Sequence, residues 1–123
     1  MKIEVGMYAY SKERRYLGIG KISYIDDIRK NFEIVIQTNK EEWLANKEDV
    51  IASYNIIDLI EVGDYVNGYK ITYIQEKEEP YYPKRLLHFE EPQDYVIKVF
   101  DNEDIKSIVT KEQFEREAYK IWK

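Results

Sequence analysis

The stretch from Glu76 to Gln93 concentrates the side chains best able to meet a ligand. It holds all three prolines of the chain, its single histidine, and the run Tyr81-Tyr82-Pro83-Lys84-Arg85, which leads into Leu86-Leu87-His88-Phe89. Two tyrosine rings beside a lysine and an arginine offer faces on which a base can stack and cations that can hold phosphate. These are the requirements of a flexible nucleotide ligand. A second cluster, Lys12-Glu13-Arg14-Arg15-Tyr16, again combines cations with an aromatic. The candidate ligand-binding residues are therefore Tyr81, Tyr82, Lys84, Arg85, His88 and Phe89, with Arg14 and Arg15 lining the same cleft if the two loops correspond. Other readings stand beside this one: an Ω-loop pinned to the core by its Tyr and Leu residues for the first cluster, and a solvated hairpin tip for the second. Arg29-Lys30 and Arg116 are further cations, read as surface charge.

Catalysis finds little material. The chain has no cysteine, and a lone His88 between Leu87 and Phe89 is of the kind that packs and hydrogen-bonds, so a His-based metal cage or a Ser-His-Asp triad lacks its parts. The 24 carboxylates include the pairs Asp26-Asp27, Glu41-Glu42, Glu78-Glu79 and Glu90-Glu91. Adjacent acids on a strand point to opposite faces, so these read as solubilising charge. No loop has EF-hand spacing, and the five glycines are scattered singly, which removes a phosphate-binding glycine loop. The expectation is a protein that is not an enzyme and has no cofactor and no metal.

Length and charge set the remaining bounds. With 123 residues and a net charge of -5, the chain suits one compact unit and is ill matched to duplex nucleic acid or an anionic membrane. No run approaches the roughly 20 apolar residues of a membrane span, and the first residues lack the apolar core of a secretory signal. A cytoplasmic location follows as an expectation.

The elements that must position these side chains come from an internal echo. Val5-Gly6-Met7-Tyr8 and Gly20-Lys21-Ile22-Ser23-Tyr24-Ile25 are answered by Val62-Gly63-Asp64-Tyr65 and Gly68-Tyr69-Lys70-Ile71-Thr72-Tyr73-Ile74. Phe32 to Ile36 is matched to Tyr95 to Phe100, and Glu48-Asp49-Val50 to Glu103-Asp104-Ile105. The β-branched and aromatic alternation has a period of two, which predicts short strands. Asn67-Gly68 predicts a type I′ hairpin. Asn39 to Leu44 reads as a short helical turn, and Ser53 to Ile60 is too short to assign. Because proline removes a backbone donor, residues 76–93 read as an excursion outside the sheet rather than a central strand. Thr110-Lys111-Glu112-Gln113 is a capping box, followed by Phe114, Ala118 and Ile121 at near-helical spacing. That narrow stripe needs a partner, either the domain itself or the same helix of a second subunit. The fold expected is α+β, mainly β. It comprises two small SH3-like or barrel-like modules in a tandem pseudo-repeat, residues 1–60 and 61–123, with an insertion at 76–93 and a C-terminal helix over about 111–120.

The wording of residues 55–70, Asn55-Ile-Ile-Asp58-Leu-Ile-Glu-Val-Gly63-Asp-Tyr-Val-Asn67-Gly68-Tyr-Lys, together with Ser107-Ile-Val-Thr-Lys111-Glu-Gln-Phe114-Glu, resembles a family of small phage and prophage proteins of Firmicutes. Length and the aromatic-plus-cationic stretch are also similar to the Thoeris anti-defence proteins, which sequester the cyclic ADP-ribose isomer made by bacterial TIR enzymes. The resemblance implies a sponge acting in the cytoplasm of an infected bacterial host, binding a small signalling nucleotide as a homodimer or higher homo-oligomer. In that setting Tyr81 or Tyr82 would stack on the base, Lys84 and Arg85 would hold pyrophosphate, and Arg14 or Arg15 would close the pocket. The alternatives are a phage inhibitor of a host defence protein and a non-catalytic β-barrel interaction module.

Overall fold

The computed structural model describes residues 2–26, 33–76, 85–89, 96–98 and 102–122. Strands β1 (Tyr8–Ser11), β2 (Gly20–Ile25), β3 (Glu33–Gln37), β4 (Glu42–Asn46) and β5 (Val50–Ser53) form one antiparallel sheet in the order β4-β3-β2-β1-β5. Strands β6 (Tyr65–Val66), β7 (Tyr69–Glu76), β8 (Arg85–Phe89), β9 (Val96–Lys98) and β10 (Ile108–Val109) form a second in the order β10-β6-β7-β8-β9. A 3-10 turn precedes the last strand of each, Lys47–Asp49 in the first and Asn102–Asp104 in the second. Helix α1, Lys111–Trp122, ends the chain. The fold is thus mainly β with one helix, in two units of the same strand order, and neither sheet closes into a barrel.

The alternation of the sequence explains the first core. In β3 and β4, Ile34, Ile36, Trp43 and Ala45 point inward while their neighbours face solvent. They meet Met7, Ala9, Ile22, Val50 and Ala52 in one buried cluster. A second cluster joins Ile60, Val66, Ile71, Leu87 and Phe89. Each fully buried Ile or Leu contributes about 1.5–3 kcal/mol by leaving water.

The repeat extends to individual hydrogen bonds. Gly6 donates to the Ile22 carbonyl at 2.8 Å, and Gly63 to that of Ile71 at 2.9 Å. Ile22 returns a bond to Met7 and Ile71 to Asp64, each at 2.9 Å. Both glycines hold φ near +100°, at 97° and 99°, a conformation that side-chain-bearing residues rarely adopt. One residue later β2 and β7 undergo the same register shift, between Ile22 and Tyr24 and between Ile71 and Tyr73. The Asn67-Gly68 turn has φ of 53° and 88°, both positive as type I′ requires.

Three sequence expectations need correction. Residues 42–46 are strand β4, preceded by a turn in which the Thr38 hydroxyl accepts from the Lys40 and Glu41 amides, so the helical reading of Asn39 to Leu44 fails. Arg85–Phe89 is a strand lying between β7 and β9, not an excursion. Pro80, Pro83 and Pro92 fall outside that stretch, and its five residues keep every backbone donor. Consequently the partner of β3 in the repeat is β8, whereas Tyr95 to Phe100 contains β9, the counterpart of β4. Ser53 to Ile60, left unassigned by periodicity, contains the 3-10 turn Ile56–Leu59.

Candidate functional site

Of the residues marked by sequence, Tyr81, Tyr82 and Lys84 lie outside the described residues, as do Arg29 and Lys30. The others each meet different partners within the chain.

Arg15 sits at the start of the 3-10 turn Arg15–Leu17 and is 7% exposed. Its Nη1 and Nη2 each donate at 2.7 Å to the two oxygens of Asp64, which is fully buried. Nη1 also reaches Glu112 at 3.2 Å, and Nη2 the Leu59 carbonyl at 2.8 Å. Nε lies 2.7 Å from Glu61 Oε2, an ion-pair contact whose angle falls outside hydrogen bonding, and the Tyr10 ring lies 4.7 Å from the guanidinium carbon. Burial works against the charged guanidinium, but the Asp64 carboxylate, with Glu61 and Glu112, outweighs it and raises the pKa above its already high value. Desolvation first, then Glu61, pushes the Tyr10 hydroxyl up as well. Asp64 fills its remaining acceptor positions with the backbone amides of Glu61 and Lys111, each at 2.9 Å. Arg15 is therefore the clamp between the modules and the helix start, not a free anion ligand.

Arg14 points the other way. Its Nη2 donates to the Leu44 carbonyl at 2.6 Å, 6.0 Å from the Trp43 ring to the guanidinium carbon, beside a hollow that also carries Glu13, Glu33, Glu48 and Asp49. Arg85 donates to the carbonyls of Ile57 and Ile60, with Glu76 at 3.6 Å from Nε, and so satisfies the end of the Ile56–Leu59 turn. His88 stands on β8 with its ring 5.3 Å from that of Tyr73 and Nε2 3.4 Å from Gln75 Oε1. Phe89 is a core residue, buried and edge-on to Tyr69 at 5.7 Å.

The helix keeps its sequence-expected start. Gln113 N donates to the Thr110 hydroxyl at 3.1 Å, and Gln113 Oε1 accepts from Thr110 N at 2.8 Å. The Thr110 hydroxyl donates in turn to the Arg15 carbonyl oxygen at 3.0 Å. Phe114, the first residue of the stripe, stacks on Tyr65 at 4.6 Å, and Arg116 beside it lies 4.9 Å from the Tyr16 ring; the side chains of Ala118 and Ile121 lie outside those described.

A different surface collects cations. A groove of about 770 Å³ runs between the modules, walled by Tyr8, Lys21, Gln37 and Lys40 from the first and by Lys106, Ser107 and the helix start from the second. Tyr8 pairs with Lys21 across β1 and β2, and Lys21 with Gln37 across β2 and β3, so the three side chains share one face of the sheet. Lys21 Nζ lies 5.1 Å from the centre of the Tyr8 ring. Lys40 is presented by the Thr38 turn. On the other wall Asn67 Oδ1 accepts from the amides of Lys106 and Ser107 at 2.6 and 3.1 Å, and Asn67 Nδ2 donates to the Asp104 carbonyl at 3.1 Å. Gly20 allows the close approach of β3, since a Cβ there would stand 2.5 Å from the Gln37 carbonyl oxygen. Among the described residues the lining holds three lysines and no carboxylate, in a chain whose net charge is -5. Its volume is within the range of small-molecule sites, roughly 300–1,000 Å³.

Sequence reasoning missed Lys21, Lys40 and Lys106 because they lie far apart in the chain. The signal was present in the repeated Tyr and Lys phrases, but only strand register places Tyr8 against Lys21. Asn67→Gly, which keeps the turn and removes the side chain, is expected to free the Lys106 segment. Amide hydrogen exchange at Lys106 and Ser107 should rise at least tenfold while the Gly68 turn persists; unchanged protection would show that Asn67 does not hold this wall.

Fold and groove together define a tandem pair of five-stranded antiparallel β units with a cationic cleft between them. No family model, curated protein or solved structure matches the chain. Among the described residues no helix is long and apolar enough to cross a membrane, and no three His, Asp or Glu side chains gather as metal ligands would.

Proposed function

We propose that this chain is a non-catalytic binding protein that captures a small phosphate-bearing nucleotide in the groove between its modules and holds it unaltered. One observation carries the reading: Lys21, Lys40 and Lys106 line a cleft whose described residues include no carboxylate, although the chain is acidic overall. Ammonium groups with nearby Ser, Thr and amide donors are what phosphate oxygens need, because charge-assisted hydrogen bonds are about twice as strong as neutral ones. The likeness to Thoeris anti-defence proteins adds the member of that class: a cyclic ADP-ribose isomer produced by TIR enzymes during phage infection. Sequestration requires affinity rather than a nucleophile. A sponge working at nanomolar signal needs about 12 kcal/mol of binding free energy, and a homo-oligomer in which a second subunit closes the groove suits that demand.

The test is direct. The purified protein is incubated with nucleotide extract from cells bearing an active TIR synthase, freed of unbound nucleotide, heated, and the released material analysed by mass spectrometry. Intact cyclic ADP-ribose isomer is expected, with recovery falling at least tenfold in a Lys21→Ala, Lys106→Ala double variant. Release of a cleaved product, or no bound nucleotide, would overturn the proposal.

A second reading, a phage inhibitor of a host defence protein or a β interaction module, has one observation in its favour. Tyr24 and Tyr73 follow the matching register shifts of β2 and β7 and stand 59% and 57% exposed. Exposed aromatics at equivalent places on both units suit a protein partner. An empty result in the mass-spectrometric experiment would favour this reading.

A further inference from the structure

The two modules carry the same tyrosine in two different states. Tyr8 opens β1 and Tyr65 opens β6, each directly after the buried residue of the glycine turn, Met7 or Asp64. Each stands opposite a lysine on the next strand, Lys21 for Tyr8 and Lys70 for Tyr65. In the second module the chain leaving β10 becomes α1, which lays Phe114 on Tyr65 with ring centres 4.6 Å apart and planes inclined by 27°. In the first module the chain leaving β5 runs into the Ile56–Leu59 turn instead. Among the described residues no aromatic ring stacks on Tyr8, which lines the groove with the Lys21 ammonium over its ring at 5.1 Å from the centre.

We infer that Tyr8 is the platform on which the heteroaromatic base of a nucleotide stacks, with Lys21 holding its phosphate, so that the groove selects nucleotides over inorganic phosphates. The inference rests on the reading of the groove as a phosphate site and adds what lies next to the phosphate. Tyr65 shows that a planar ring is accommodated at this position of the module when the chain itself supplies one. The charge of the groove decides the kind of ring. An apolar side chain from another protein gains nothing from Lys21, Lys40 and Lys106, whereas a base tethered to phosphate meets the ring and the ammonium groups together. Stacking of a base on an aromatic side chain is worth about tenfold in affinity or more, and it needs the ring rather than the phenolic hydroxyl.

Calorimetric titration of the full chain with ADP and with pyrophosphate, at one ionic strength, separates the two levels of the argument. Wild-type protein is expected to bind ADP about tenfold or more tightly than pyrophosphate. Tyr8→Phe should keep that ratio, whereas Tyr8→Leu should bring it to within about twofold and leave pyrophosphate affinity unchanged. If pyrophosphate binds but ADP gains nothing, or if the ratio survives in Tyr8→Leu, the platform is overturned while the phosphate groove stands. If neither binds, the groove itself falls and the platform with it.

Discussion

Asp64→Ala is expected to destabilise the protein by about 3–5 kcal/mol, because it leaves the buried Arg15 guanidinium without its main counter-charge. In a chain of this length that corresponds to a fall in Tm on the order of 10–20 °C. Both terminal nitrogens of Arg15 lose a 2.7 Å bond, and the amides of Glu61 and Lys111 lose their acceptor. Glu61 and Glu112 remain near, but they are 56% and 42% exposed, so water weakens what they can replace. The repeat suggests the control. Met7 occupies the equivalent place in the first module and is equally buried there, so an apolar residue fits this turn. Asp64→Met combined with Arg15→Met should therefore recover at least half of the loss, as buried ion pairs often do when both partners are replaced. Urea unfolding of wild type and the two variants is the measurement. A loss below about 1 kcal/mol for Asp64→Ala would show that the clamp contributes no more than a surface pair.

Phe89→Ala is expected to cost about 3–5 kcal/mol through the cavity it opens beside Ile71, Leu87 and Val66. Among the described residues it is the one aromatic side chain of the second cluster, beside Ile60, Val66, Ile71 and Leu87. Any binding in the proposed nucleotide groove should be unaffected where the variant is fully folded, because Phe89 is not among the residues that line it. Thermal unfolding and a titration at low temperature on the same sample check both statements. A fully stable variant with lost binding would return Phe89 to the ligand site.

Much of the architecture was legible because it is local. Asn67-Gly68, the Val-Gly-x-Tyr turns and the Thr110 capping box are each specified by a few neighbouring residues, whose backbone preferences are the same in any context. Strand β8 was not legible. Prolines at 80, 83 and 92 dominate the composition of that region, but proline disrupts pairing only where it stands, and residues 85–89 contain none. Glu48-Asp49-Val50 and Glu103-Asp104-Ile105 do correspond, each overlapping a 3-10 turn, whereas Phe32 to Ile36 matches Tyr95 to Phe100 in sequence only because alternating apolar strands look alike.

The site divides along the same line. Sequence shows that Arg14, Arg15 and Arg85 are cations next to aromatic or apolar residues; it does not show what each will face. Arg15 meets Asp64 and Glu112 across separations of 49 and 97 residues, and Lys21 comes to face Lys106 through the docking of two modules. Such pairings depend on strand register and on how the units pack, which no local preference encodes. What the sequence determined alone was a mainly β chain, built twice from one pattern and ended by a capped helix. Only the tertiary structure decided that Arg15 and Arg85 are spent inside the fold and that three lysines, each unremarkable in its own stretch, share one cleft. The physical reason is that a charge acquires its role from the groups it is desolvated against, and those are chosen by the fold.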